Sequence, residues 1–329
     1  MPKVSIIIPT YNCAAYVEDC ILSVTNQTER DIEIIVVDDG STDQTLEILK
    51  KLESSDDRIF VHSGPNNGFA GFTRNRGISH ARGKFIAFLD GDDLYAPEKI
   101  QRVVSVFEAF PLTDVVFHDL VRFEQRPDEP GAVGFLKHSG FLDLAQSYLS
   151  ETADSVHLCH KNFYNFVSLR FIPFHISAIT IRREALLSGS YWFREDLRPG
   201  EDGDLWLRLA NNLPFAFLNQ PLSYYRQRSG SIMSDQLRYL LATVQIHREN
   251  LERGREQFNE QELRIYRSKI AEFLFTLGYV YFCRNSIKDA RLAYKQSLDS
   301  RFRISTLLGY LKTFVPRPVV TKYRQLSRK

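Results

Sequence analysis

Lys84-Phe85-Ile86-Ala87-Phe88-Leu89-Asp90-Gly91-Asp92-Asp93 is an apolar run that stops abruptly in three carboxylates. Bounded by Gly83 on one side and the acids on the other, it reads as a buried strand emptying into a loop. In open α/β sheets, ligands bind just beyond the carboxyl ends of strands. An Asp-x-Asp at that place offers hard oxygen ligands, which suit Mg²⁺ or Mn²⁺ carrying phosphates better than zinc. In isolation such a stretch is also a common acidic turn, because Asp and Gly satisfy turn backbones. The rest of the chain separates the two readings.

Upstream, Val4-Ser5-Ile6-Ile7-Ile8 is a β-branched run halted by Pro9, with Thr10-Tyr11-Asn12 following as a loop. A helix fits residues 14–27, with Tyr16, Cys20 and Val24 on one stripe. A second strand, 32–37, runs into Asp38-Asp39-Gly40-Ser41-Thr42-Asp43, where Ser41 or Thr42 can cap the next helix. A short strand at 59–61, a turn at 64–68 and a helix at 70–81 carrying Arg74 and Asn75 precede the opening stretch. Strands alternating with helices at this spacing predict a right-handed parallel sheet covered on both faces. The loops with Thr10-Tyr11-Asn12, Asp38-Asp39 and Asp90 to Asp93 then fall on one edge, the expected nucleotide site.

Downstream, a helix fits 97–110 and strands fit 114–117 and 177–181. Asp93 can cap the segment that starts at Leu94. Pro127, Pro130, Gly131 and Gly134 break the region 125–165, which reads as variable insert or acceptor-side structure. Gly200-Glu201-Asp202 opens a helix with acids in its first turn, where the helix dipole favours them. From Leu237 the pattern is helical, with start signals at Asn259-x-x-Glu262 and Ser286-x-x-Asp289 and one hairpin resembling a tetratricopeptide repeat. Two domains are expected: an α/β domain over 1–235 and a helical region over 236–329.

The chain of 329 residues, 43 % hydrophobic with 24 Phe and 15 Tyr, can fill a sizeable core. A net charge of +2 gives no reason to expect nucleic acid. Cys13, Cys20, Cys159 and Cys283 are scattered without a paired motif and no secretory signal is legible, so a cytoplasmic location is expected. His157-Leu158-Cys159-His160 lacks the partner pair a structural zinc site needs. The aromatics Tyr191-Trp192-Phe193 suit packing more than sugar stacking.

Pro9-Thr10-Tyr11-Asn12, Val37-Asp38-Asp39-Gly40-Ser41-Thr42-Asp43, Arg74-Asn75-x-Gly77 before Leu89-Asp90-Gly91-Asp92-Asp93, and Gly200-Glu201-Asp202 together resemble the family 2 glycosyltransferases, inverting enzymes of the GT-A fold that use nucleotide-activated sugars. The resemblance covers residues 2–231. It implies a GT-A fold, Rossmann-like, with a mostly parallel sheet flanked by helices. It implies that Pro9, Thr10, Tyr11 and Asn12 line a nucleoside pocket and that Asp39 accepts the imide N–H of uracil, a bond cytosine cannot offer. Arg74 would reach the nucleotide, Asp90 would lie near the ribose and metal with Gly91 among the nucleotide-binding residues, and Asp92 would be the direct ligand of Mn²⁺ or Mg²⁺. Asp202 would be the general base on the acceptor hydroxyl, with Glu201 contacting the acceptor or orienting Asp202. Members often carry Arg-x-His near the end of the catalytic domain. This chain has Arg226-Gln227-Arg228 instead, where Arg228 can bind diphosphate without ligating metal.

The expected partners are a nucleotide sugar, UDP-sugar foremost, and a glycan or lipid-linked acceptor. A dehydrogenase needs Gly-x-Gly-x-x-Gly after the first strand, and Pro9 to Ala14 lacks it. A nucleotidyltransferase needs a glycine-rich basic loop there, also absent from the sequence. The non-enzyme alternative is a sugar-nucleotide-binding scaffold acting through its helical region. After Asp299 the chain holds no acid but eight Lys and Arg interleaved with apolar residues, a composition suited to peripheral contact with the inner face of a membrane. The competing expectation is that residues 304–315 pack on the preceding helices and the charges are simply solvated, because every helix must bury some face.

Overall fold

A computed structural model describes residues 1–124, 133–152, 154–227 and 236–315. They separate into two compact units, one of residues 1–196 and 201–229, the other of 197–200 and 230–329.

The first unit begins with β1 (Val4–Thr10), α1 (Val17–Thr25), β2 (Ile32–Asp38), α2 (Thr45–Ser55), β3 (Ile59–Ser63), α3 (Ala70–His80) and β4 (Phe85–Phe88). β1 lies between β2 and β4, with β3 outside β2, and all these pairings are parallel. Every residue of β2 and β4 is buried, as a sheet covered on both faces requires. Each Ile or Val so buried contributes about 1.5–3 kcal/mol. α3 lies so close to β1 that a Cβ on Gly77 would come 2.3 Å from Ile7 Cγ2, so the glycine of Arg74-Asn75-x-Gly77 is there for helix–strand packing.

The charge in β2 has a local explanation. Burial raises the Glu33 carboxyl, but bonds from the Ser5 hydroxyl at 2.6 Å and the Arg82 backbone at 2.7 Å and guanidinium at 2.9 Å hold it below its ordinary value.

The unit continues through β5 (Leu94–Tyr95), α4 (Lys99–Ala109), β6 (Val115–Phe123), α5 (Phe135–His138), α6 (Phe141–Ala145), β7 (Leu149–Glu151), β8 (Val156–Cys159), α7 (Phe163–Leu169), β9 (Ile179–Arg182), α8 (Arg183–Ser188), α9 (Glu201–Asn212) and β10 (Phe215–Arg226). The sheet order is β3-β2-β1-β4-β9-β6-β10-β8-β7, with β5 on β10. β9 is antiparallel to both β4 and β6, so the parallel half gives way to a mixed half at the strand carrying the acidic stretch. The insert expected between 125 and 165 contributes β7 and β8 to this half; residues 125–132 and 153 are outside the described set.

Several local expectations are corrected. α1 starts at Val17 rather than near 14, and α2 starts at Thr45 behind Gln44, not behind Ser41 or Thr42. Those two hydroxyl residues bond Asp38 and Asn12 instead, while Asp43 accepts from the Thr45 N–H at 3.0 Å. Asp93 does not cap the segment from Leu94, which opens a strand; its carboxylate takes the Ser177 hydroxyl and the Arg226 N–H instead.

In the second unit α10 (Gln236–Arg253), α11 (Glu260–Cys283), α12 (Ile287–Ser300) and α13 (Ile304–Lys312) follow in order. Asn259 and Glu262 form the expected capping box. Ser286 does not, since its hydroxyl bonds the Asp289 carboxylate rather than a backbone N–H. Phe282, Ala290 and Tyr294 form the small core between α11 and α12.

Candidate active site

The edge at the carboxyl ends of β1, β2 and β4 is acidic and internally braced. Thr10, at the end of β1, is buried, and its hydroxyl lies 3.3 Å from Asp38 Oδ1. Asn12, at φ 47°, accepts from the Thr42 N–H through its side-chain oxygen at 2.8 Å, while its own N–H donates to the Ser41 hydroxyl at 3.0 Å. Two loops from neighbouring strands are thereby locked together. Tyr11 projects from the edge, 51 % exposed, and Pro9 is half-buried.

Asp39 is 5 % exposed, and its two oxygens accept from the Asn67 and Gly68 N–H groups, each at 3.0 Å. These bonds fix the carboxylate plane and leave lone pairs for a further donor. The turn at 64–68 is therefore part of the site, a role its sequence did not suggest.

Arg74 projects from α3 toward the acidic stretch. Its guanidinium, 7 % exposed, bonds Asp90 Oδ1 at 2.7 Å and lies 3.5 Å from Glu201 Oε1. Its carbon sits 5.4 Å from the Phe193 ring centroid, and its Nε has no hydrogen-bond partner. Desolvation opposes its charge, but Asp90 and Glu201 outweigh that and raise its pKa. One cation thus ties the end of β4 to the first turn of α9. The adjacent Asn75 secures the approach to α9: its amide donates to the Phe193 carbonyl at 2.8 Å and its oxygen accepts the Phe193 N–H at 2.9 Å.

Gly91 lets the acidic turn press against the first loop, since a Cβ there would stand 3.1 Å from Thr10 Cγ2 and 3.2 Å from Cys13 Sγ. The three carboxylates diverge in role. Asp90 faces Arg74 and Asp92 is half-buried. Asp93 is fully buried, accepting from the Ser177 hydroxyl at 2.6 Å and the Arg226 N–H at 3.0 Å. Burial, with Asp90 and Asp92 beside it, pushes Asp93 well above the usual carboxylate range. The Arg226 Nε also donates to the Asp92 carbonyl at 2.9 Å, so β10 anchors the turn.

Glu201 is half-buried beside Arg74, whereas Asp202 at the next position is exposed, its carboxylate accepting the Gly203 N–H at 2.7 Å. Asp202 is therefore solvated rather than held in a dry pocket. Arg228 lies outside the described residues.

Sequence reasoning missed His175 and Ser177. Ser177 donates to Asp93, and its oxygen lies 3.3 Å from the Asp90 N–H. His175 Nδ1 accepts from the Ser177 N–H at 3.2 Å, and its ring meets Tyr225 edge-on at 4.6 Å. Burial lowers its pKa against the pull of Asp90 and Asp202, so it stands as a neutral ring among the site's charges. No local motif marks either residue; the antiparallel entry of β9 brings them here. His157 packs on Phe217 and His160 bonds the Ser150 hydroxyl at 2.6 Å. Phe193 is buried against Phe88.

Asp90 and Asp92 present the oxygen donors a hard divalent cation accepts. Among the described residues no group of three or more His, Cys, Asp or Glu is arranged to hold a metal. The donor set fits a cation that takes its remaining ligands from a diphosphate and water, as Mg²⁺ does.

The glycosyl transferase family 2 model matches residues 5–159. A chondroitin synthase of Pasteurella multocida is 30 % identical over 224 residues, covering 67 % of this chain and 20 % of that protein. Glycosyltransferase EpsJ of Bacillus subtilis is 31 % identical over 240 residues, covering 70 % of this chain and 63 % of that protein. The chain thus spans less than two thirds of these relatives. Among solved structures, S. aureus TarS 1-349 in complex with UDP-GlcNAc superposes with a TM-score of 0.66 at 19 % identity, covering 98 % of this chain and 92 % of that one. The mannosyltransferase PcManGT from Pyrobaculum calidifontis, in complex with GDP-Man and Mn²⁺, superposes with a TM-score of 0.57 at 15 % identity, covering 93 % and 78 %. These likenesses agree with the GT-A arrangement of the sheet. Residues 5–159 of this chain are thus a glycosyl transferase family 2 domain.

Proposed function

We propose that this chain transfers a sugar from a nucleotide sugar, a UDP-sugar foremost, to a hydroxyl of a glycan or lipid-linked acceptor, with inversion at the anomeric carbon. The observation that carries the proposal is the Asp90–Arg74–Glu201 bridge, which joins the acidic stretch to the turn bearing Asp202. In this reading Pro9, Thr10, Tyr11 and Asn12 line the nucleoside pocket and Asp39, already oriented by Asn67 and Gly68, accepts the uracil imide proton. Asp90 and Gly91 border the ribose. Asp92 would hold Mn²⁺ or Mg²⁺, whose chemistry, when bound, would be neutralisation of charge on the diphosphate leaving group. Arg228 supplies a further cation.

The acceptor oxygen attacks the anomeric carbon as the bond to the diphosphate breaks. The nucleoside diphosphate leaves with the bonding electrons, and Asp202 takes the acceptor proton. Attack from the face opposite the leaving group inverts the centre. Asp202 is solvated here, so acceptor binding has to supply the desolvation that makes it an effective base. The solved UDP-GlcNAc complex and the chondroitin synthase likeness support a nucleotide-sugar donor and a glycan product. We assign transfer to residues 1–235 and an accessory role to 236–329.

The test is a screen of nucleotide sugars for binding and slow hydrolysis with Mn²⁺ or Mg²⁺, which needs no acceptor. Metal-stimulated hydrolysis of one donor is expected. Binding without turnover of any donor would favour the scaffold reading.

A further inference from the structure

α13 sits with its apolar face outward. Ile304, Leu308, Leu311 and Val315 are 69, 52, 50 and 40 % exposed. At 3.6 residues per turn Ile304, Leu308 and Leu311 fall within roughly 60° of arc on α13, and Val315 follows just beyond the end of the helix. Phe302 and Phe314 flank them at 66 and 53 % exposure. The side turned inward mixes small, polar and aromatic residues: Tyr310 packs against the cluster of Phe282, Ala290 and Tyr294, and Leu307 is half-buried. Thr306 and Thr313 are buried, and Arg291 donates to the Thr313 hydroxyl and carbonyl at 3.1 and 2.9 Å. A Cβ on Gly309 would stand 2.9 Å from the Tyr294 ring, so α12 and α13 meet through a glycine. Residues 304–315 thus pack on the preceding helices through Tyr310, Gly309 and Thr313, while Ile304, Leu308 and Leu311 stay outside that packing. Hydrogen bonds to Arg291 and the close approach at Gly309 select the opposite face.

A stripe of large aliphatic side chains left in water is a docking surface, since exposed apolar residues normally occur singly. Its surroundings identify the occupant. Arg301 and Lys312 are exposed beside it, and residues 300–329 contain eight Lys and Arg and no Asp or Glu. A second copy of the chain would bring like charges together. An anionic bilayer complements them, and a helix with an apolar face and basic flanks is suited to lie in the interface. Among the described residues no helix is long and apolar enough to cross a membrane.

We propose that α13 docks this chain on an anionic phospholipid surface by inserting Ile304, Leu308, Leu311 and Val315 between headgroups held by the flanking basic residues. The docking would place the acceptor at a bilayer. It is independent of the transfer reaction, because vesicle binding is read without donor or acceptor.

The experiment is co-sedimentation of the full chain with vesicles of phosphatidylglycerol and phosphatidylcholine, beside vesicles of phosphatidylcholine alone. Strong binding to the anionic vesicles, weakened several-fold by raising salt from about 0.1 to 0.5 M, is expected. Leu308→Gln with Leu311→Gln should weaken it at least tenfold, with unchanged circular dichroism and donor hydrolysis. Arg301→Gln with Lys312→Gln should weaken it less. Failure of the full chain to bind, equal binding to both vesicle types, or undiminished binding by the leucine variant would each overturn the proposal. So would a dimer in sedimentation velocity that the leucine variant disperses, which would make a second copy the occupant.

Discussion

Arg74 Nη2 donates to Asp90 Oδ1 across 2.7 Å, and through Nη1 the same guanidinium lies 3.5 Å from Glu201, some 127 positions further along the chain. Removing one member of a buried ion pair strands the other charge and typically costs about 3–5 kcal/mol. Asp90 is 29 % exposed, so water takes up part of the loss and about 3 kcal/mol is expected for Arg74→Ala by chemical denaturation. Arg74→Lys keeps the charge but not the fork. It should retain most of the stability yet slow donor hydrolysis at least about tenfold, as expected when one cation no longer spans both carboxylates. Wild-type turnover in Arg74→Lys would show that the fork is dispensable.

Asp202→Asn isolates the proposed base. Its carboxylate is exposed and bonds only locally to the Gly203 N–H among the bonds described, so stability should change little. Transfer to acceptor should fall about 10²–10⁴-fold while UDP affinity stays close to wild type. Retention of more than about a tenth of the transfer rate would remove Asp202 from that role.

Asp92 and Asp39 should separate by ligand. Asp92→Ala is expected to weaken UDP more than uridine, because its effect runs through the diphosphate, and to abolish the influence of EDTA. Asp39→Ala should weaken both ligands, and it also frees the Asn67 and Gly68 N–H groups that the carboxylate organises. Calorimetry with each ligand, with and without chelator, distinguishes the two. Equal losses for UDP and uridine in Asp92→Ala would argue against a metal role.

Lys99 offers a pH test away from the chemistry. It is fully buried, its Nζ 3.9 Å from the Tyr95 ring centroid and 3.4 Å from the Thr180 hydroxyl, and desolvation lowers its pKa well below the ordinary lysine value. The unfolded chain therefore binds a proton that the folded chain resists. Stability contributed at this site is present above the unfolded lysine pKa of about 10.4 and is lost as pH falls toward the folded value. Lys99→Met, similar in volume and uncharged, should raise stability at pH 7 by roughly 1–3 kcal/mol, with the gain shrinking toward pH 10. Denaturant titrations at the two pH values measure it; a gain that grows with pH would reverse the sign.

The parallel half of the fold and the loops that carry the candidate site are legible in the residue pattern. Those features depend on short-range rules: β-branched runs bury on both faces, glycine and proline stop them, and acids collect at strand ends. Asp39, Asp90 and Asp92 could be named from such runs and from family resemblance. Which partners they meet depends on long-range packing. Arg74 faces Asp90 and Glu201 because Gly77 lets α3 lie against β1, and Ser177 and His175 enter because β9 runs antiparallel between β4 and β6. The outward stripe of α13 was likewise illegible. Periodicity shows that a helix has an apolar face, but which face docks is settled by long-range contacts, here Gly309 on Tyr294 and Thr313 on Arg291.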